Sequence, residues 1–161
     1  MVNRLKNNGI IRKYILVLFI AGAFSACDER TVYHAFRSIP QAGWQRQDTL
    51  LFDVPVPDSL TYYKLSVELR NRTDYPYQNI SLSVCYDGPG VSSLPADTIQ
   101  ITLADKEGIW KGDGWGGLYQ SASFVGGVKI GRPGHYLFKI AYTLPDGILP
   151  GINDVGIKLE R

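Results

Sequence analysis

The residues on which most catalytic and metal sites depend are scarce in this chain. Its 161 residues include two cysteines, two histidines and one methionine. His34 and His135 stand far apart, and no spacing of His, Cys and Asp resembles a zinc or iron site. No Ser or Cys has a His close to it in sequence, and a G-x-S-x-G nucleophile elbow is lacking. We therefore expect a protein that is not an enzyme, with no metal and no cofactor.

Basic residues are concentrated before Cys27 rather than in the body of the chain. The formal net charge is +2, but four of the 17 basic residues precede Cys27 and no Asp or Glu does. These four are Arg4, Lys6, Arg12 and Lys13. The segment after Cys27 therefore keeps 13 basic against 15 acidic side chains, a net charge of −2. No run of Lys and Arg remains there, so we expect neither a nucleic-acid partner nor a polybasic membrane-binding segment.

The N-terminus has the three parts of a bacterial secretory signal. A basic head is followed by the apolar run YILVLFIAGAFSA at 14–26, which ends in small residues. A helix of this length rises about 20 Å, too short for a hydrocarbon core of about 30 Å, so we do not expect a permanent transmembrane helix. The exit Phe24-Ser25-Ala26-Cys27 resembles the lipobox of lipoprotein signal peptides, although Phe24 replaces the usual Leu, Val or Ile.

From this signal we expect residues 1–26 to be removed and Cys27 to be acylated. The alternative is an ordinary secretory signal in which Cys27 has no such role. Two or more acyl chains, at about 0.8 kcal/mol per buried CH₂, make a permanent membrane anchor. Acylation of Cys27 leaves Cys85 without a disulfide partner. We interpret Cys85 as a small apolar residue of a strand, with a reactive or intermolecular thiol as the alternative.

After residue 48, apolar and polar residues alternate with period two. In the segment YYKLSVELR, for example, Leu65, Val67 and Leu69 share one face. The alternation is typical of amphipathic strands, and no window of a dozen residues keeps a helical stripe. The segments with this pattern are 49–54, 62–70, 80–86, 98–103, 135–142 and 155–160.

Strands with one apolar face each are typical of two sheets packed face to face. We predict an all-β fold, a single β-sandwich of jelly-roll or immunoglobulin-like type, with a closed barrel as the alternative. The predicted domains are the signal peptide at 1–26, the acylated Cys and a tether at 27–48, and the β-sandwich at 49–161.

Residues 104–131 break the alternation with a dense series of glycines and aromatic residues. We predict a long connection here, with one weak strand near Leu118–Phe124. Trp110, Trp115 and Tyr119 either form an exposed platform for a protein or a sugar, or cap one open end of the sandwich. Because Gly114 and Gly116 flank it, we expect Trp115 to be exposed and Trp110 to be buried.

A series of short motifs runs in order along the mature chain. The most specific are L-R-N at 69–71 followed by Y-P-Y-Q-N-I at 75–80, and L-P-G-I-N-D-V-G-I at 149–157. The others are C-D at 27–28 with Tyr33, G-W at 43–44 before the 48–52 strand, D-T at 97–98, L-A-D at 103–105, G-I-W-K-G-D-G at 108–114 and G-H-Y at 134–136. With these motifs the chain resembles the gliding-motility lipoprotein GldH family of Bacteroidetes.

The resemblance implies a non-catalytic lipoprotein of the cell envelope that works beside other proteins of a gliding-motility or secretion assembly. We expect acyl chains on Cys27 to anchor it, and we expect the outer membrane to be its location. The sequence leaves open whether the protein faces the periplasm or the cell surface. Trp110, Trp115 and Tyr119 are the candidate protein-binding residues. The alternative function is a surface lipoprotein that binds glycans through the same aromatic residues.

Overall fold

The computed structural model describes residues 30–58, 61–89 and 97–161, and the signal peptide and Cys27 lie outside these ranges. This part of the chain is built of antiparallel strands and contains no helix. It therefore holds no apolar helix that could span a bilayer.

The described residues form eight strands of six or more residues and three shorter ones. In order, they are β1 (Thr31–Ser38), β2 (Trp44–Gln45), β3 (Leu50–Val56), β4 (Thr61–Arg72), β5 (Asn79–Asp87), β6 (Asp97–Thr102), β7 (Asp113–Trp115), β8 (Leu118–Ile130), β9 (Gly134–Tyr142), β10 (Ile148–Leu149) and β11 (Ile152–Glu160). Each of the segments predicted from alternation is a strand, namely β3, β4, β5, β6, β9 and β11.

Nine of the strands form two large sheets with the orders β1-β11-β4-β8-β7 and β3-β9-β5-β6, and β10 pairs with β2 in a small two-stranded sheet. The long strands pair from the two ends of the chain inward, β1 with β11, β3 with β9, β4 with β8 and β5 with β6. Nested pairing of this kind, folded over into two sheets, is a jelly roll. The predicted β-sandwich is confirmed, and its topology is the jelly roll rather than the immunoglobulin type.

The core lies between the inward faces of the two sheets. Directly opposite residues of antiparallel strands share a face, so apolar side chains meet in rows. Val67 of β4 lies opposite Ile157 of β11, and Phe52 of β3 lies opposite Phe138 of β9, and all four are fully buried. The described core residues lie between Ile39 and Leu159, so a segment that starts after Cys27 can fold without the signal peptide.

The folded domain begins earlier than the predicted boundary at residue 49. The sequence predicts a tether over 27–48, but β1 pairs with β11 from Thr31 to Ser38. Trp44 is 1% exposed, and its ring packs edge-on against Tyr142 with a centroid distance of 5.2 Å. As an edge strand with half-buried residues on both faces, β1 lacks the clear alternation that marks the other strands. The boundary of the sandwich therefore moves to Thr31.

The predicted long connection at 104–131 is shorter than expected: the weak strand predicted near Leu118–Phe124 is confirmed as part of β8, which has thirteen residues, and β7 precedes it. β8 is the direct partner of β4 along its whole length. Its inward positions opposite Leu69 and Val67 are Ser121 and Ser123. Small polar residues thus stand where alternation predicts apolar ones, and the strand is only weakly marked by its pattern.

The strands run between two ends of the sandwich. At the end that we call the entry end, β1 begins and β11 finishes, since Thr31 lies opposite Glu160. At the opposite end, which we call the far end, lie four connections between long strands. They span 39–49, 73–78, 103–117 and 143–151.

Candidate functional site

Trp115 lies at the tip of a β-hairpin at the far end. It is the last residue of β7 and stands opposite Leu118, the first residue of β8. Gly116 and Gly117 form the two-residue turn, with φ of 61° and 83°. Positive φ at both positions is what a type I′ hairpin turn requires, and glycine adopts it without strain. The side chain of Trp115 is 93% exposed, as its flanking glycines predict.

Trp110 and Tyr119 support this hairpin from its inner side. Their ring centroids lie 5.8 Å apart. A Cβ on Gly114 would overlap the Tyr119 ring, so β7 can pass over that ring only with glycine at this position. Trp110 is partly buried and packs against the core, while Tyr119 is half-buried. The fold thus brings the three predicted aromatic residues to one end and leaves only Trp115 fully projecting.

Two tyrosines of the Y-P-Y motif extend the aromatic cluster. The Tyr75 ring lies 6.5 Å from Trp110 and 5.9 Å from Tyr77. Burial raises the pKa of Tyr75, so its hydroxyl stays protonated and donates to the Asn79 carbonyl at 2.9 Å. The Tyr77 hydroxyl donates to Asp146 Oδ1 at 2.8 Å, which raises the pKa of Tyr77 and joins the 73–78 and 143–151 connections. Sequence reasoning missed both residues, because only the fold places them beside Trp110.

The 103–117 connection that carries Trp110 is held by its own hydrogen bonds. Asp105 Oδ1 accepts the backbone N–H groups of Glu107 at 3.0 Å and Ile109 at 2.7 Å. The Lys111 N–H donates to the Leu103 carbonyl at 2.8 Å. These bonds fix the chain on both sides of Trp110, so the hairpin starts from a defined position.

Exposed apolar side chains gather at the far end. Trp115 is 93%, Ile109 66%, Ile148 50% and Tyr77 39% exposed. Trp115 and Ile109 lie in the 103–117 connection, Ile148 in the 143–151 connection and Tyr77 in the 73–78 connection. Clustered exposed apolar residues are a mark of interaction sites, whereas single ones are ordinary. The far end therefore has the composition of a docking surface.

A polar groove of about 320 Å³ opens between β6 and β8 beside the hairpin. Gln100 and Thr102 line one wall, and Ser121 and Ser123 line the other. The buried Ser121 Oγ has no hydrogen-bond partner among the described residues. The groove can accept a hydrogen-bonding group beside the hairpin, but its lining brings together no pair of carboxylates for acid–base chemistry.

The L-R-N and D-V-G motifs meet on the outer face of the five-stranded sheet. Arg70 lies over the Phe36 ring at 4.0 Å and approaches Asp154 Oδ2 at 3.8 Å. Gln120 accepts a hydrogen bond from Arg70 at 2.9 Å and donates one to Glu68 at 2.9 Å. Both carboxylates are only 7% exposed and are already hydrogen-bonded within this network. We therefore assign the network to stabilising the sheet rather than to binding.

The described residues include no group of three His, Cys, Asp or Glu side chains that could hold a metal ion. Cys85 is a free thiol, half-buried on the outer face of β5 opposite Lys139. The predicted lipid-attachment residue, Cys27, lies outside the described residues.

Comparison with known proteins gives consistent family matches. The family model described as "GldH lipoprotein" matches residues 31–159. The gliding motility lipoprotein GldH of Flavobacterium johnsoniae is 30% identical, over 98% of this chain and 98% of its own length. A gliding motility lipoprotein GldH homolog of Christiangramia forsetii is also 30% identical, over 91% of this chain and 93% of its own length.

Solved structures show looser likenesses. A family 35 carbohydrate-binding module from Clostridium thermocellum overlaps with a TM-score of 0.41 at 14% identity, covering 80% of this chain and 89% of the module. The C-terminal domain of EclA, a sugar-binding protein, overlaps with a TM-score of 0.38 at 10% identity, covering 88% of this chain and 83% of that chain. With TM-scores this low, neither likeness bears on the function of this chain.

Proposed function

We propose, from the premise that the chain belongs to the GldH lipoprotein family, that its far end docks another envelope protein of a gliding-motility or secretion assembly. The protein acts in this role without catalysis. The observation that carries the proposal is the exposure of Trp115, 93%, at the tip of a supported hairpin. The proposal is also supported by three other exposed apolar residues in the far-end connections, Ile109, Ile148 and Tyr77.

We place the lipid anchor at Cys27, in the outer membrane. The support is the signal that precedes it, with a basic head, a short apolar run and the exit Ser25-Ala26-Cys27. The anchor then joins the sandwich at its entry end, because β1 begins four residues after Cys27. The far end is thereby turned away from the point of attachment, towards other proteins.

A tryptophan on a fixed hairpin suits a docking role energetically. Truncating a central interface Trp often costs about 2 kcal/mol or more, which is roughly a thirtyfold loss of affinity. Binding also loses the entropy of any side chain or loop that must become ordered. Here the Gly116-Gly117 turn and the Trp110–Tyr119 contact already set the position of the hairpin, so only the Trp115 side chain has to become ordered.

The test is recovery of partner proteins from native membranes with a tagged protein. Trp115→Ala should lose the specific partner while the protein stays in the membrane fraction. Tyr62→Ala is the matched control, because Tyr62 is another exposed aromatic residue, 66% exposed, at the entry end. Equal recovery of the partner with Trp115→Ala and with the unaltered protein would contradict the docking role of Trp115.

A second candidate function is glycan binding at the cell surface. The polar groove beside the hairpin favours it, because sugars bind through hydrogen bonds together with ring stacking on an aromatic residue. A glycan array on residues 28–161 tests it, with Trp115→Ala as the variant, and protease treatment of intact cells tests surface exposure. Reproducible glycan binding that Trp115→Ala abolishes, together with cleavage on intact cells, would replace the docking proposal.

A further inference from the structure

We infer that the outer face of the five-stranded sheet, from its middle to its entry end, rests on the surface of an anionic lipid bilayer. The inference depends on the proposed anchor at Cys27 for its location. The contact itself depends on four other residues of the sheet, which can be tested without the anchor.

Two exposed aromatic rings lie on this face, each with a lysine ammonium group above it. Tyr62 is 66% exposed, and Lys129 Nζ lies 5.7 Å from its ring centroid. Phe124 is 59% exposed, and Lys64 Nζ lies 5.8 Å from its ring centroid. We refer to these four residues as the aromatic–lysine patch.

The register of β4 and β8 places the whole patch on one face. Tyr62 stands opposite Lys129, and Phe124 stands opposite Ser66. Leu65 and Val67, on either side of Ser66, point into the core, so the patch points away from it. The solvent-facing side of an antiparallel sheet is normally polar, and two large exposed aromatic side chains there call for a surface that covers them.

The patch lies within reach of the proposed anchor. Thr31 pairs with Glu160 on β11, and Glu160 pairs with Lys64 on β4. Two strand spacings separate Thr31 from Lys64, which is about 10 Å. Cys27 stands four residues before Thr31, and four residues span at most about 14 Å. Acyl chains on Cys27 would therefore hold this part of the sheet close to the bilayer.

The chemistry of the patch fits the headgroup region of a bilayer. A tyrosine ring such as Tyr62, with a polar hydroxyl group, settles at that depth, and an apolar ring such as Phe124 enters the boundary between headgroups and acyl chains. Lysine stems lie along apolar surface while the ammonium group meets lipid phosphate. Glu160, the acidic neighbour of Lys64, is paired with Lys158 at 2.7 Å. The sequence has no polybasic run, and it is the pairing of β4 with β8 that brings the two lysines together.

A protein partner is the other surface that could cover the patch. The short distance from Cys27 to the patch favours the bilayer. The rings at the far end offer a contrast. Among the described residues, cations lie over Phe36, Phe52, Tyr62 and Phe124 and not over Trp115 or Tyr77. The two aromatic side chains paired with lysine thus lie between the middle of the sheet and the entry end, whereas Trp115 and Tyr77 lie at the end proposed for protein docking.

The test is the partitioning of residues 28–161 onto vesicles of phosphatidylcholine with phosphatidylglycerol, compared with vesicles of phosphatidylcholine alone. We expect tighter binding to the anionic vesicles. Lys64→Gln and Lys129→Gln should each weaken it about fivefold, and Tyr62→Ser with Phe124→Ser should also weaken it. Lys106→Gln and Lys111→Gln at the far end, and Leu51→Ser at an exposed apolar residue of the four-stranded sheet, should leave it unaltered.

Two results would overturn the inference: equal partitioning onto neutral and anionic vesicles, or equal losses from the patch and the control substitutions. Melting curves confirm that each variant is folded. Acylation of Cys27 plays no part in this measurement, since residues 28–161 lack it. Failure of the anchor, seen as a missing lipid label on the full chain, is therefore a separate result from failure of the patch.

Discussion

Trp110 and Trp115 lie five residues apart in the chain but in different surroundings. Trp110 packs between Tyr75, Tyr119 and the core, whereas Trp115 is 93% exposed. Trp110→Ala should cost about 3 kcal/mol of unfolding free energy, at the low end for a large core truncation because the site is only partly buried. Trp115→Ala should change it by about 0.5 kcal/mol or less. Denaturant unfolding of the two variants measures the difference, and a large loss for Trp115→Ala would contradict its placement.

A substitution at Val67 tests whether this face of β4 points into the core. Val67 is fully buried opposite Ile157. Val67→Asp would put an unpaired carboxylate between the two sheets, at a cost of several kcal/mol against a total stability of about 5–15 kcal/mol. We expect the variant to be largely unfolded by circular dichroism. Ser66→Asp, one residue away on the outer face, is the control and should fold.

At the scale of the element, the attachment of β1 depends on one glycine. A Cβ on Gly156 of β11 would lie 2.7 Å from the Phe36 ring and 3.0 Å from the Ala35 carbonyl oxygen. Phe36 cannot move away easily, because the Arg70 guanidinium group packs on its ring at 4.0 Å from the centroid.

Gly156→Val should therefore loosen β1 and leave the rest of the sandwich folded. Hydrogen–deuterium exchange is expected to speed up along Thr31–Ser38 and to stay slow along β4. Lys158→Val, in the same strand with its side chain on the same outer face, is the matched control. Unchanged protection of β1 in Gly156→Val would show that this contact does not hold the strand.

Period-two alternation predicted the elements with one face in the core and one in water. β3, β4, β5, β6, β9 and β11 all have this form. The alternation does not mark β1, because residues on both of its faces are half-exposed. It is weak in β8, because Ser121 and Ser123 occupy inward positions. In both cases the strand is held by its pairing with a neighbour, and pairing partners cannot be read from a single segment.

At the scale of the molecule, the sequence predicted Trp110, Trp115 and Tyr119 as one group, because they are close along the chain. It did not predict that Tyr75 and Tyr77 join them, or that Tyr62 and Phe124 share a face. Those pairs come from the packing of far-end connections and from the register of β4 with β8. Contacts between distant segments are set by the whole fold, so local patterns do not contain them.

The proposed acylation of Cys27 leads to a prediction for the whole molecule. Cys27→Ala should abolish incorporation of labelled fatty acid and move the protein out of the detergent phase, because the acyl chains supply the membrane affinity. Cys85→Ala is the matched control and should keep both properties, since its thiol lies on the sandwich. Lipid labelling that persists in Cys27→Ala would show that the anchor is elsewhere.

On these proposals the molecule has an entry end at the membrane and a far end that docks protein. A photo-crosslinking amino acid placed at residue 115 or at residue 124 in living cells tests this division directly. We predict a discrete protein adduct from position 115 and no protein adduct from position 124, which faces lipid. A protein adduct from position 124 with none from position 115 would contradict the account.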